Sequence, residues 1–229
     1  MSYEAMLTVL PFALVVSLAL AVLLVDLLWP GRDGLVMGIG LVGLAVVLVL
    51  TLIIGPLPGE IGLLSEPHAI GEQGELYRRD LLTVLLDVVL LAIGLLTLLF
   101  APDYLTPRKL PVAEFTATLL FAVSGGMLIA GGQDLLILFI GLELLVLPGY
   151  LLAGFAKRDG LSTEGAIKYF LLGSFSSAIL LFGLAFVLGF TGSTQLDAVA
   201  EQLNALVDGN SALPLAVAMG LALLAVGLL

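Results

Sequence analysis

Glu143 is the residue whose surroundings most invite chemistry. Between Leu135 and Ala156 it is the sole charge in an otherwise apolar run. It lies about 14 Å along the run at 1.5 Å per helical residue, near mid-membrane if the run crosses a bilayer. A carboxyl placed there loses hydration, so its pKa rises unless a cation sits nearby. That property suits a group that must take up and release protons. The competing reading is a protonated glutamate making one interhelical hydrogen bond, since intramembrane ionisable groups need some partner. Gly141, Pro148 and Gly149 flank it, so neighbouring backbones or water can approach closely.

Lys168 is the natural partner candidate. It follows Ser162, Thr163 and Glu164, which resemble the capped start of a helix joined to the Glu143 run by the short loop 157–161. The two helices are then antiparallel neighbours, and Lys168 lies about 9 Å inside its own. Its stem could extend toward the depth of Glu143. It could equally pair with Glu164 four residues back, or snorkel to the interface. Asp87 sits about 9 Å into a Leu-rich run; it is a secondary relay candidate, with a hydrogen bond to a neighbouring helix as the simpler reading. Glu114 is a further secondary candidate, although it falls with Asp26, Asp80, Asp103 and Asp134 near run ends, where carboxylates are solvated. Gly173, Ser174, Ser176, Ser177 and Gly183 give their run a small-residue surface suited to close helix packing.

Other chemistries find no support. The chain has no cysteine, which removes disulfides, thiolate zinc sites, iron–sulfur ligation and a cysteine nucleophile. Its one histidine, His68, lies outside the apolar runs, so neither haem ligation nor a serine–histidine pair is expected. No glycine-rich phosphate loop has the required strand and helix around it. No metal site or cofactor is expected in this chain.

The elements that position these residues are read from composition. Of 229 residues, 61% are hydrophobic and 11% charged, against roughly a quarter charged in soluble domains; the mean hydropathy is +1.22. This is a membrane protein. Acidic residues outnumber basic ones 18 to 8, the reverse of what nucleic-acid binding requires. Seven apolar runs, 5–28, 35–54, 81–100, 112–130, 134–155, 163–190 and 213–229, approach the ~20 residues that a spanning helix needs. None alternates with period two, so the expected fold is an all-α polytopic bundle with backbone hydrogen bonds satisfied inside each helix. The first run lacks a basic flank and carries Glu4, so it reads as a retained helix and not a cleaved signal.

Arg32, Arg108, Lys109, Lys157 and Arg158 fall in loops on one side; Arg78 and Arg79 fall on the other, among Glu60, Glu66, Glu72 and Glu75. By the positive-inside rule the N-terminus is outside. Residues 55–80 are expected to form an irregular external loop. Residues 194–208 place Leu196, Val199, Leu203 and Leu206 on one helical face, and Thr194 with Asp197 has capping-box spacing. A short amphipathic helix is expected there, on the membrane surface or across the bundle. The last run, with Pro214 near its first turn, reaches only about 26 Å. It reads as a truncated span in a fragment of a longer protein.

The stretches AEFTATLLFAVSGGMLIAGGQDLLILFIGLELLVLPGYLLAGF (113–155) and LSTEGAIKYFLLGSFSSAILLFGLAFVLGFTGSTQL (161–196) resemble subunit N of the proton-pumping NADH–quinone oxidoreductases, the respiratory complex I family. RRDLLTVLLDVVLLAIGLLTLLFAPDYL (78–105) is similar to that family's third helix and following loop. The resemblance is collinear over about 80–229 and weaker over 1–79.

It implies seven transmembrane helices of an expected fourteen. Residues 1–111 would hold the first three, and 112–229 would begin the first antiporter-like repeat. It also implies a proton-translocation role for Glu143 and Lys168, which fall on the family's functional positions, with protonation of one site shifting the pKa of the next. The chain would be a non-redox subunit of a translocase in a bacterial inner membrane, partnered by lipid and by other membrane-arm subunits. NADH, FMN, iron–sulfur clusters and quinone would be bound in partner subunits. The family's seventh helix carries a lysine just beyond a stretch like GLALLAVGLL, where this chain stops. The resemblance is therefore to the N-terminal half, and a complete proton path from it alone is not expected. A cation/proton antiporter subunit of the same superfamily is the alternative reading.

Overall fold

The computed structural model describes residues 3–55, 68–69, 76–208 and 215–228. In chain order the described elements are α1 (Tyr3–Leu28), α2 (Asp33–Ile54), β1 (His68–Ala69), β2 (Arg78–Arg79), α3 (Leu81–Leu105), α4 (Val112–Gly131), α5 (Leu135–Ala153), α6 (Gly160–Thr191), α7 (Leu196–Asp208) and α8 (Leu215–Leu228). Six helices, α1 to α6, are long and apolar enough to span a bilayer, and α8 is a shorter apolar helix. The protein is an all-α, polytopic membrane bundle.

Helix starts follow local capping. Asp80 accepts from the Thr83 amide at 2.7 Å and opens α3; Asp134 accepts from the Leu136 amide at 2.8 Å and opens α5. Each satisfies one of the orphan donors of a first turn. α6 starts earlier than its Ser162–Glu164 signature suggested: Asp159 caps it through the Leu161 amide, and Ser162 instead donates to the Ala153 carbonyl. That bond fastens the start of α6 to the end of α5. At the other end, Gly192 takes a left-handed φ of 70° to stop α6, a conformation glycine adopts without steric cost.

α1 to α4 form a packed block. Its core takes Val15, Ala19 and Val22 from α1, Val36 and Leu44 from α2, Leu91 and Leu98 from α3, and Leu120 and Met127 from α4. α4 also receives α5 at close range: a Cβ on Gly125 would fall 2.5 Å from the Leu145 amide nitrogen. α5 in turn lies along α6, and α6 along α8, where a Cβ on Gly183 would fall 2.6 Å from the Leu224 amide. Small residues let backbones meet this closely where lipid supplies no hydrophobic drive between helices. The outward faces carry exposed large apolar side chains, Leu172 and Phe175 on α6 among them.

The start of α3, the end of α4, the start of α5 and the turn between α6 and α7 are tied together. β2 pairs antiparallel with β1, Tyr77 bridges to Gly132, and Asp134 bridges to Gln195. Most of the expected loop 55–80 lies outside the described residues; within it, His68–Ala69 pairs with Arg78–Arg79 at its C-terminal end. The amphipathic helix expected near 194–208 is α7, with Val199 buried. Thr194 does not act in a capping box: its hydroxyl donates to Asp134, and the helix starts at Leu196.

Candidate functional site

Glu143 occupies the middle of α5, half-buried, facing the groove between α5 and α6. It lines two cavities. One of about 330 Å³ adds Tyr150, Tyr169, Gly173, Ser176 and Ser177; the other, of about 460 Å³, adds Tyr150, Phe170, Ser174 and Ser177. The small-residue face of α6 thus supplies hydroxyls to the groove as well as packing. Pro148, in the next turn of α5, cannot donate to the Leu144 carbonyl, so one backbone acceptor beside Glu143 lacks its helical partner. Among the described residues no hydrogen bond or ion pair holds the Glu143 carboxyl.

Lys168 does not join it. Its ammonium pairs with Glu164 one turn back, its side chain is 69% exposed, and it lines neither cavity. The expected approach of its stem to Glu143 is absent because the i, i+4 pair is nearer and the groove side of α6 is given to smaller residues. The intended Glu–Lys pair is therefore two separate groups here, one facing a cavity and one facing outward.

Asp87 is the most deeply buried carboxylate among the described residues, at 0% exposure. Its partner is Arg79 of β2, with Nη1 3.4 Å from Oδ2, and not a neighbouring helix. The same guanidinium donates to the Thr51 carbonyl of α2 at 3.4 Å, so Arg79 joins α2 and α3. Burial lowers the Arg79 pKa from its ordinary value, and the Asp87 carboxylate opposes that shift. Tyr77 lies beside the pair and donates to the Met127 carbonyl of α4. Burial, reinforced by Asp87, pushes its phenol above the usual range. Asp87 Oδ1, Arg79 Nε and the Thr51 hydroxyl have no hydrogen-bond partner among the described residues.

Glu114 is half in solvent, where it pairs with Lys157 at 3.4 Å on the wall of a third, largely apolar cavity. Asp134 is not solvated as its position near a run end suggested. It is 4% exposed, caps α5 with Oδ1 and accepts from Thr194 with Oδ2. No cluster of metal-ligating residues occurs among the described residues.

Two further residues matter here. In the sequence Arg79 reads as a loop charge, and its signal is the RRD triplet before an aspartate-bearing span. Tyr150 stands seven residues after Glu143, on the same helical face, and that spacing was its signal.

Comparison with known proteins agrees with the bundle. Residues 132–228 match the family described as NADH:quinone oxidoreductase/Mrp antiporter, TM. NADH-quinone oxidoreductase subunit N of Leptospira biflexa is 44% identical over 123 residues, covering 54% of this chain and 26% of the relative. The same-named subunit of a Geobacillus strain is 36% identical over 211 residues, covering 91% and 41%. A chain of respiratory complex I from Thermus thermophilus superposes with a TM-score of 0.70 at 30% identity, covering 95% and 43%. An archaeal membrane-bound sulfane sulfur reductase chain shares the fold, with a TM-score of 0.79 at 20% identity, covering 98% and 44%. The chain spans less than half the length of these relatives.

Proposed function

From the premise that this chain belongs to the antiporter-like membrane-subunit family of the NADH–quinone oxidoreductases, we propose that it couples quinone reduction to proton translocation as a membrane-arm component of such a complex. Glu143 is the protonatable group of this coupling. The observation that carries the reading is its position: a mid-span carboxyl, free of any ion partner among the described residues, opening onto two cavities lined by hydroxyls. Such a group can gain and lose a proton without breaking a structural contact, and its charge then biases the pKa of groups near it.

Lys168 is a relay in this scheme only if it leaves Glu164, an exchange that costs little for an exposed pair. Asp87 and Glu114 are assigned lesser parts, each being engaged with a cation already. Residues 1–111 are a flanking set of helices, and 112–229 begin the antiporter-like repeat. The chain itself performs no redox step. NADH, FMN, iron–sulfur clusters and quinone belong to partner subunits, and the chain sits in a bacterial inner membrane with its N-terminus outside, following its loop charges.

The test is Glu143→Gln in the full-length protein within its assembled complex. Proton translocation per NADH oxidised is expected to fall strongly, with assembly unchanged. Unchanged pumping refutes the assignment, and a defect confined to assembly assigns the chain a packing role. A second reading, a subunit of a cation/proton antiporter, is favoured by the breadth of the matched family, whose description includes Mrp antiporters. Sodium-dependent proton exchange in vesicles without NADH would support it.

A further inference from the structure

Tyr150 carries a feature that packing does not explain. Its ring is buried at 6% exposure and meets Tyr169 and Phe170 edge-on, with centroids 4.8 and 5.6 Å away. Those contacts use the ring alone. The hydroxyl is buried and has no hydrogen-bond partner among the described residues, which a phenylalanine at this position would avoid entirely. It also occupies a notch in α6: a Cβ on Gly173 would fall 1.8 Å from the Tyr150 oxygen and 2.5 Å from Cζ. Glycine at 173 is what makes room for the hydroxyl.

Tyr150 lines both cavities that Glu143 lines. The two residues share a face of α5, about 10 Å apart along its axis, with Tyr150 toward the α5–α6 loop that carries Lys157 and Arg158. A cavity of about 330 Å³ has room for roughly ten waters at 30 Å³ each. A hydroxyl with no hydrogen-bond partner among the described residues, on a residue that lines such a cavity, keeps the donor and acceptor capacity that passing a proton needs.

We propose that the Tyr150 hydroxyl is the proton relay between the loop end of the α5–α6 groove and Glu143, held in place by the notch at Gly173. The proposal rests on Glu143 being the protonatable group. In the transfer, the Tyr150 O–H bond breaks as its proton passes through water to the Glu143 carboxylate, which becomes a carboxylic acid. In the same event a loop-side hydronium delivers a proton to the tyrosine oxygen, becoming water as it remakes the O–H bond. Tyr150 ends neutral, no electrons change hands, and the net event is one proton moved inward along the groove.

The experiment uses the assembled complex in proteoliposomes and reads protons translocated per NADH oxidised, alongside complex yield. Tyr150→Phe keeps the ring contacts and removes the relay; the ratio is expected to fall by about twofold or more at normal yield, since a positioned proton donor can contribute far more than that to a single step. Gly173→Ala keeps tyrosine but fills the notch, and is expected to lower the ratio likewise. Gly189→Ala, where a Cβ meets nothing within 4 Å, is expected to match the parent. A normal ratio in Tyr150→Phe overturns the relay whatever Gly173→Ala shows, as does a loss confined to yield. Glu143→Gln measured in parallel separates the two layers: if it is impaired while Tyr150→Phe is normal, only the relay fails, and if it is itself normal, the underlying function fails.

Discussion

The α1–α4 block and the α5–α6 groove handle a membrane-embedded carboxylate in opposite ways. In the block, Asp87 is fully buried, and it is committed: Arg79 neutralises it and reaches on to the Thr51 carbonyl, so one ion pair ties β2, α2 and α3. In the groove, Glu143 is only half-buried and uncommitted, with hydroxyl-bearing cavities on its open sides. The contrast separates depth from availability: the deeper carboxylate is the one held in an ion pair. A charge whose loss would break a structural contact cannot cycle cheaply, whereas a charge with space and without a fixed partner can.

The largest effect is expected at Arg79. Arg79→Ala leaves Asp87 as an uncompensated buried charge, a change that costs about 3–5 kcal/mol. Loss of folded protein in detergent, read by thermal unfolding, is expected. Replacing both partners by apolar residues, Arg79→Met with Asp87→Leu, is expected to recover most of that loss, and to retain proton translocation. Pumping lost in a stable double variant would give Asp87 more than the lesser part assigned to it and erase the distinction between the two regions.

A smaller effect is expected at the junction between the regions. Asp134 caps α5 and accepts from Thr194 in the turn between α6 and α7. Asp134→Ala is expected to destabilise the protein by about 0.5–2 kcal/mol, as for other lost caps, and a melting shift near zero would deny that the turn clamps α5. The smallest effect belongs to Lys168. Its exposed pair with Glu164 is worth about 0.3–0.5 kcal/mol, so Lys168→Gln should leave the melting temperature nearly unchanged. A clear loss of pumping in that stable variant would sharpen the contrast, because it would make Lys168 a partner of the groove in spite of its resting place.

Much of the frame was legible in the residues. Run length and apolar content marked the spanning helices, and the spacing of Leu196, Val199 and Leu203 marked α7 as amphipathic. Glu143 stood out because so few charges occur in the runs. What was not legible depends on how the chain returns on itself. Arg79 looks like a loop charge until the β1–β2 pair and the Tyr77–Gly132 bridge fold it against α3. Asp134 looks solvated until the turn after α6 covers it. Lys168 pointed toward Glu143 by depth alone, and depth does not specify which way a side chain leaves its helix. The role of Gly173 needed the Tyr150 ring beside it; in the sequence it was one small residue among several.

If the uncommitted carboxylate carries the chemistry while the committed one holds the fold, the deciding measurement is protons translocated per NADH oxidised in the assembled complex carrying Glu143→Gln. A strongly lowered ratio at normal assembly is the predicted result; a ratio equal to that of the parent complex would contradict the account.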